Sequence, residues 1–207
     1  MNGSEIIAEV GDVEVAEEDL LRAQLYGLLA SLLSKAPDHD TLASLAQLSG
    51  DETALGKAIA ALSRVAAGSN AAAVAVAEEY HDLFIGVGRG ELLPYASYYL
   101  TGFLHEKPLA KLRNDMAAHG ASKSEDVSEP EDHAASVLEV MAGLIDGRFG
   151  NPASIEDQEE FYEAHIASWM TVFFQDLGGA SSSVLYATVA EVGLRFLEIE
   201  SAAFEMD

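Results

Sequence analysis

Cysteine is absent from the 207 residues, which excludes disulfides, thiolate metal sites and cysteine nucleophiles. No apolar run approaches the roughly 18–20 residues that a membrane span needs. The opening stretch, MNGSEIIAEVGDVEVAEED, lacks the basic start and apolar core of a secretory leader, so the expected location is the cytoplasm. Positive charge is scarce: eleven Lys and Arg stand against thirty-five Asp and Glu, a formal net charge of −24. Nucleic-acid backbones and anionic membranes need neutralising cations, and the imbalance argues against both. It favours a cationic partner, or at least steers one in. Acidity also serves solubility and life in high salt, so the sign is more informative than the size.

What is present is a chain 49% apolar, enough for one domain or two small halves sharing a core. Strand-like alternation is missing, and apolar residues recur at three- and four-residue spacing. Leu21, Leu25, Leu28, Leu29, Leu32 and Leu33 predict an amphipathic helix over 19–35, stopped by Pro37. Shorter helices follow over 40–48 and from 51 toward 66, the latter broken at Gly68, Ser69 and Asn70. Asn70 is expected to cap a helix over 71–84, whose run of Ala and Val predicts burial on most sides. Helices over 97–104 and 107–119 come next, with Gly120 closing the second.

Residues 121–128, ASKSEDVS, are small and charged and form the best linker in the chain. Ser128 with Glu131 reads as a capping box opening a helix, with Pro130 in its first turn. A long helix over 155–177 and a last one beginning at 181–183 complete the chain. The prediction is an all-α bundle of eight or nine helices in two halves. The first half is residues 1–120, the hinge 121–130 and the second half 131–207.

Residues 80–100, YHDLFIGVGRGELLPYASYYL, stand out. A helix end runs into Gly86, Gly88 and Gly90, then Pro94 introduces Tyr95, Ser97, Tyr98 and Tyr99. The glycines suggest a phosphate cradle, yet they follow a helix and lack the lysine of a P-loop. A helix stop with a flexible exit explains them more simply. Glu129, Glu131, Asp132 and His133, with His165 brought near, offer metal or acid–base chemistry. Against that, adjacent Asp132 and His133 point in different directions from a helix. Phe161, His165, Trp169 and Phe173 recur every four residues, and core is the default reading of such a stripe.

Three blocks, in order, resemble the TorD/DmsD/NarJ family of redox-enzyme maturation chaperones. The first is Tyr80-x-x-Leu83-Phe84 followed by Pro94-Tyr95-x-Ser97. The second is Glu129-Pro130-x-Asp132-His133, matching E-P-x-D-H, and the third runs from Phe161 through His165 and Trp169 to Phe173. The resemblance covers roughly residues 20–196. It implies a non-enzymatic cytoplasmic chaperone with no cofactor. Such a chaperone binds the twin-arginine signal peptide, and often the apo-form, of a molybdopterin oxidoreductase and delays export until the cofactor is loaded. It implies peptide contacts at Tyr80, Leu83, Phe84, Pro94, Tyr95, Ser97, Asp132 and His133, and a hinge motif at Glu129, Pro130, Asp132 and His133. The family often has tryptophan where this chain has Tyr80 and Tyr95. The resemblance also admits weak guanine-nucleotide binding, proposed for some members only, and a monomer or a domain-swapped dimer hinged at 121–128.

A twin-arginine peptide combines two guanidiniums with an apolar stretch. On this reading Leu83, Phe84, Pro94 and Tyr95 form an apolar floor, while Asp132 and His133 form a polar edge that selects arginine. Two alternatives remain at this point. One is a general acidic helical adaptor for a basic partner, and the other a small metal-dependent hydrolase built on Glu129, Asp132, His133 and His165.

Overall fold

The computed structural model describes residues 15–69, 73–123 and 129–206. Among them are ten α-helices and two π-helical turns, with no strand beyond one isolated β-bridge. The helices are α1 (Glu17–Ser34), α2 (His39–Leu45), α3 (Ala54–Ser69), α4 (Ala73–Tyr80), α5 (Ala96–Thr101), α6 (Lys107–Ala118), α7 (Ala134–Asp146), α8 (Ile155–Tyr162), α9 (Met170–Gly179) and α10 (Leu185–Phe204). The π turns are His81–Ile85, continuing α4, and Glu163–Ala167, continuing α8. The all-α prediction holds.

The helix over 155–177 is in fact two, which takes the total past eight or nine. A regular α-helix advances about 100° per residue, so a strict four-residue repeat drifts by about 40° at each step. The π turn takes up that drift and keeps Phe161, His165, Trp169 and Phe173 all buried. The chain then breaks at Trp169 (φ −153°), and the indole Nε1 donates to the His165 carbonyl at 2.7 Å. The stripe is core, as its default reading had it.

The apolar repeat of α1 buries Tyr26, Leu29, Leu32 and Leu33. α1 packs along α7, and α3 packs on α10. Both pairings cross the division at 121–130, so the two halves share one core. Two expectations near α4 change. α3 opens at Ala54 instead of residue 51, because Asp51 and Thr53 fold into a turn in which Thr53 Oγ1 accepts from the Gly56 amide at 3.0 Å. α4 buries only Val76 and Glu79, and Val74 is 73% exposed. Composition without a polar face does not decide burial. Asn70 and its predicted cap lie outside the described residues, as do positions 124–128 of the linker.

Three carboxylates tie distant elements together. Glu200 of α10 is 1% exposed and receives a fork from Arg22 of α1, Nε at 2.8 Å and Nη2 at 2.9 Å, together with the Tyr26 hydroxyl at 2.9 Å. Glu79 of α4 accepts from the amides of Val184, Leu185 and Tyr186 at 2.7, 3.1 and 2.8 Å. Those are donors left over at the start of α10, where a negative charge also suits the helix dipole. Glu91 accepts from the amides of Ser181 and Ser182, in the turn before α10, at 2.6 and 3.2 Å.

Removing one partner of a buried pair strands the other's charge, so Arg22→Ala is expected to cost about 3–5 kcal/mol. Chemical denaturation reads this directly. The double variant Arg22→Met/Glu200→Met is expected to recover part of the loss, because no buried charge is left unpaired, while the Tyr26 hydroxyl still loses its acceptor.

Candidate functional site

The first two sequence blocks meet at the β-bridge. Tyr95 pairs antiparallel with His133, the Ala96 amide donates to the Asp132 carbonyl at 2.9 Å, and the Ala134 amide to the Pro94 carbonyl at 2.8 Å. The Tyr95 and His133 rings meet edge to face, with centroids 5.2 Å apart. From this join each of the two acid–histidine side chains caps a different helix. Asp132 Oδ2 accepts from the Ser97 amide at 2.9 Å, at the start of α5. His133 Nδ1 accepts from the Ala135 amide at 3.1 Å and is the N-cap of α7.

This corrects the expected helix start. α7 opens at Ala134, and Pro130 lies in the preceding turn, its carbonyl accepting from the His133 amide at 3.1 Å. Glu131 pairs with Arg113 at 2.8 Å instead of closing a capping box; Ser128 lies outside the described residues. Pairing with residues 94–96 holds 132–134 extended, and that overrides the local signal.

A groove with a cavity volume of about 530 Å³ lies between the end of α1, the α4–π turn and this bridge. Tyr80, Phe84, Pro94, Tyr95 and His133 line it, as the sequence led us to expect, and so do Lys35, His81, Ile85 and Glu129. Leu83, Ser97 and Asp132 do not line it. Leu83 and Ser97 are 0% exposed and Asp132 is 1% exposed. These three form the frame: Leu83 fills the core, and Asp132 anchors Ser97 from behind.

The floor is a ring cluster. Phe84 lies 5.0 Å from Tyr80 and 5.4 Å from Tyr186, centroid to centroid. Tyr186 was not singled out from sequence, since it is a hundred residues away on α10. Its hydroxyl donates to the Leu32 carbonyl at 2.8 Å, and that of Tyr80 to the Leu33 carbonyl at 3.3 Å. Both acceptors are carbonyls of the last turn of α1 left without a helical partner, so the floor caps that helix.

The glycine stretch closes the π turn. Gly86 (φ +59°) donates to the His81 carbonyl at 2.7 Å, and the Glu91 and Leu92 amides return to the Asp82 and Leu83 carbonyls at 3.0 and 2.8 Å. A Cβ on Gly86 would stand 2.1 Å from the Arg89 carbonyl oxygen. The sharp return of the chain accounts for glycine there.

The residues considered for metal chemistry have separate partners. Glu129 accepts from the Tyr95 hydroxyl, and His165 Nε2 meets Asp115 Oδ2 at 2.7 Å. Among the described residues, no three His, Asp or Glu side chains converge as metal ligands. Burial holds His133 below its usual pKa, partly opposed by Glu129 and Asp132. Burial likewise lowers His165 despite its bond to Asp115, and raises the Tyr95 phenol with help from Glu129.

Comparison with known proteins places the chain in a family. The family model described as the nitrate reductase delta subunit matches residues 49–175, which span all three sequence blocks. Chaperone protein TorD of Vibrio cholerae serotype O1 is 29% identical over 196 residues, covering 86% of this chain and 89% of that one. TorD of Vibrio atlanticus is 27% identical over 202 residues, covering 87% and 93%. A solved structure assigned to redox enzyme maturation, from Archaeoglobus fulgidus, superposes with a TM-score of 0.54 at 23% identity, covering 86% of this chain and 94% of its own. At that identity it speaks for the fold.

The two histidines set a pH dependence. Both have folded-state pKa values below the usual 6.5, so the unfolded chain takes up protons first as pH falls. Stability should be constant above about pH 7 and decline from about 6.5 downward, through the depressed folded values. Protonation at Nδ1 also removes the acceptor that caps α7. Denaturation midpoints are expected to be lower at pH 5.5 than at 7.5. His133→Asn keeps an acceptor at the cap and should show a smaller drop.

Proposed function

The chain belongs to the nitrate reductase delta subunit family, the TorD/NarJ group of redox-enzyme maturation chaperones, and from that premise we propose that its groove binds the twin-arginine signal peptide of a molybdopterin oxidoreductase. It is a chaperone and not an enzyme. In this reading it acts in the cytoplasm, engages the apo-form as well, and delays export until the cofactor is inserted.

The observation that carries the reading is the groove: five of the eight expected contact residues, Tyr80, Phe84, Pro94, Tyr95 and His133, line one cavity. Its floor is aromatic and one wall carries a carboxylate, which suits a peptide with an apolar stretch beside guanidiniums. Burying three or four large side chains there contributes roughly 1.5–3 kcal/mol each. Ordering the peptide costs about 2–5 kcal/mol or more, which leaves at most about 10 kcal/mol, and micromolar affinity, about −8 kcal/mol, falls within that bound. The apolar floor therefore supplies most of the affinity, and the charges supply selectivity and speed of encounter.

The net charge of −24 favours one other reading, an acidic adaptor that docks any basic partner. Salt separates the two, because a charge-led complex weakens steeply with ionic strength and a groove-led one less so. Titration calorimetry with a synthetic twin-arginine peptide is expected to show near-micromolar binding that survives high salt. Phe84→Ala should weaken it about tenfold by removing a central anchor, with the helical circular dichroism unchanged. Binding that vanishes in salt, or is untouched by Phe84→Ala, would dismiss the groove.

A further inference from the structure

Glu129 is the one carboxylate among the described residues that line the groove; the other formally charged side chain there is Lys35. Glu129 is exposed, and its Oε2 accepts from the Tyr95 hydroxyl. Its field reaches three rings around the groove. It adds to the burial that raises the Tyr80 and Tyr95 phenols, and it opposes the burial that lowers His133. The charge therefore stands beside the aromatic floor.

Asp132 is in the opposite situation. It is 1% exposed, its Oδ2 is engaged by the Ser97 amide, and its carbonyl is engaged by Ala96 in the bridge. A guanidinium reaching it would have to open the join that holds the groove together.

We propose that Glu129, and not Asp132, is the carboxylate that reads arginine in the bound peptide, with the Tyr95 hydroxyl as its positioning group. The inference rests on the signal-peptide reading above. A carboxylate offers about four lone-pair sites. Tyr95 takes one on Oε2, which leaves Oε1 and a second site for the guanidinium fork. That fork makes two parallel bonds to a carboxylate, whereas a lysine ammonium meets it as a point charge. The Tyr95 and Tyr80 rings line the same groove, and stacking of a planar guanidinium on an aromatic ring is a further preference for arginine. Asp132 then serves as a structural cap, and its effect on binding runs through the frame.

The test is calorimetry on the full chain with a twin-arginine peptide and its double-lysine counterpart. The proteins are wild type, Glu129→Gln, Asp132→Asn and Tyr95→Phe, each checked by circular dichroism. Wild type is expected to prefer arginine by about tenfold, the scale of one charge-assisted bond. Glu129→Gln should bring the two peptides to near parity while binding double-lysine almost as before. Asp132→Asn keeps an oxygen for the Ser97 amide and should retain the preference. Tyr95→Phe should narrow the preference without abolishing it. Full arginine preference in Glu129→Gln overturns the proposal, and loss of preference in Asp132→Asn alone returns the role to Asp132. A wild type that binds neither peptide overturns the signal-peptide reading itself and this inference with it, a result distinct from retained binding with an unchanged preference.

Discussion

The short antiparallel join between residues 94–96 and 132–134 is the constraint on which the groove depends. Two backbone hydrogen bonds hold it, and the Asp132 carboxylate adds a third link to the Ser97 amide. From it α5 and α7 depart as capped helices. The join sets Tyr95 against His133 and brings Glu129 to Tyr95. One wall of the groove is thus assembled from residues more than thirty positions apart. The opposite side depends on a comparable device, in which the phenols of Tyr80 and Tyr186 satisfy carbonyls at the end of α1.

Much of this was legible in sequence where the signal is local. The leucine repeat of α1, the stop at Pro37 and the left-handed Gly120 after α6 follow from spacing and backbone preference. The first two motif blocks meet at the groove, whereas the third lies in the core. What sequence did not show is which motif residues face outward. Leu83 and Phe84 are neighbours, yet one is core and the other floor. Asp132 and His133 are neighbours, yet they cap different helices. Direction within a motif is set by pairings such as Ala96 to Asp132 and by Glu79 reaching α10, links between residues far apart in sequence. The apparent capping box at Ser128 and Glu131 failed for the same reason: the bridge and Arg113 impose themselves on the local pattern.

The acidity of the chain also gains a partial account. Glu79, Asp132 and Glu200 are buried, each answering backbone amides, a guanidinium or a phenol. Glu91 holds the turn between α9 and α10 from the exposed side. In these places negative charge replaces caps that the local sequence does not supply, since Val184 offers α10 no side-chain acceptor. The rest of the surplus lies elsewhere and sets the long-range field that draws cations. Structural and attractive roles thus divide among individual carboxylates.

The second π turn has a consequence for chain length. A π turn takes in one residue more than an α turn, and the helix beyond it keeps its facing. His81–Ile85 ends at Gly86 with no helix directly beyond it, but within Glu163–Ala167 loss of a single residue can be absorbed by reverting to α geometry. The same loss one turn away would swing every later side chain by about 100°. In α9 that would carry Phe173 and Phe174 out of the core. The helix bearing the third sequence block thus has one short window in which its length can change while its buried face stays put.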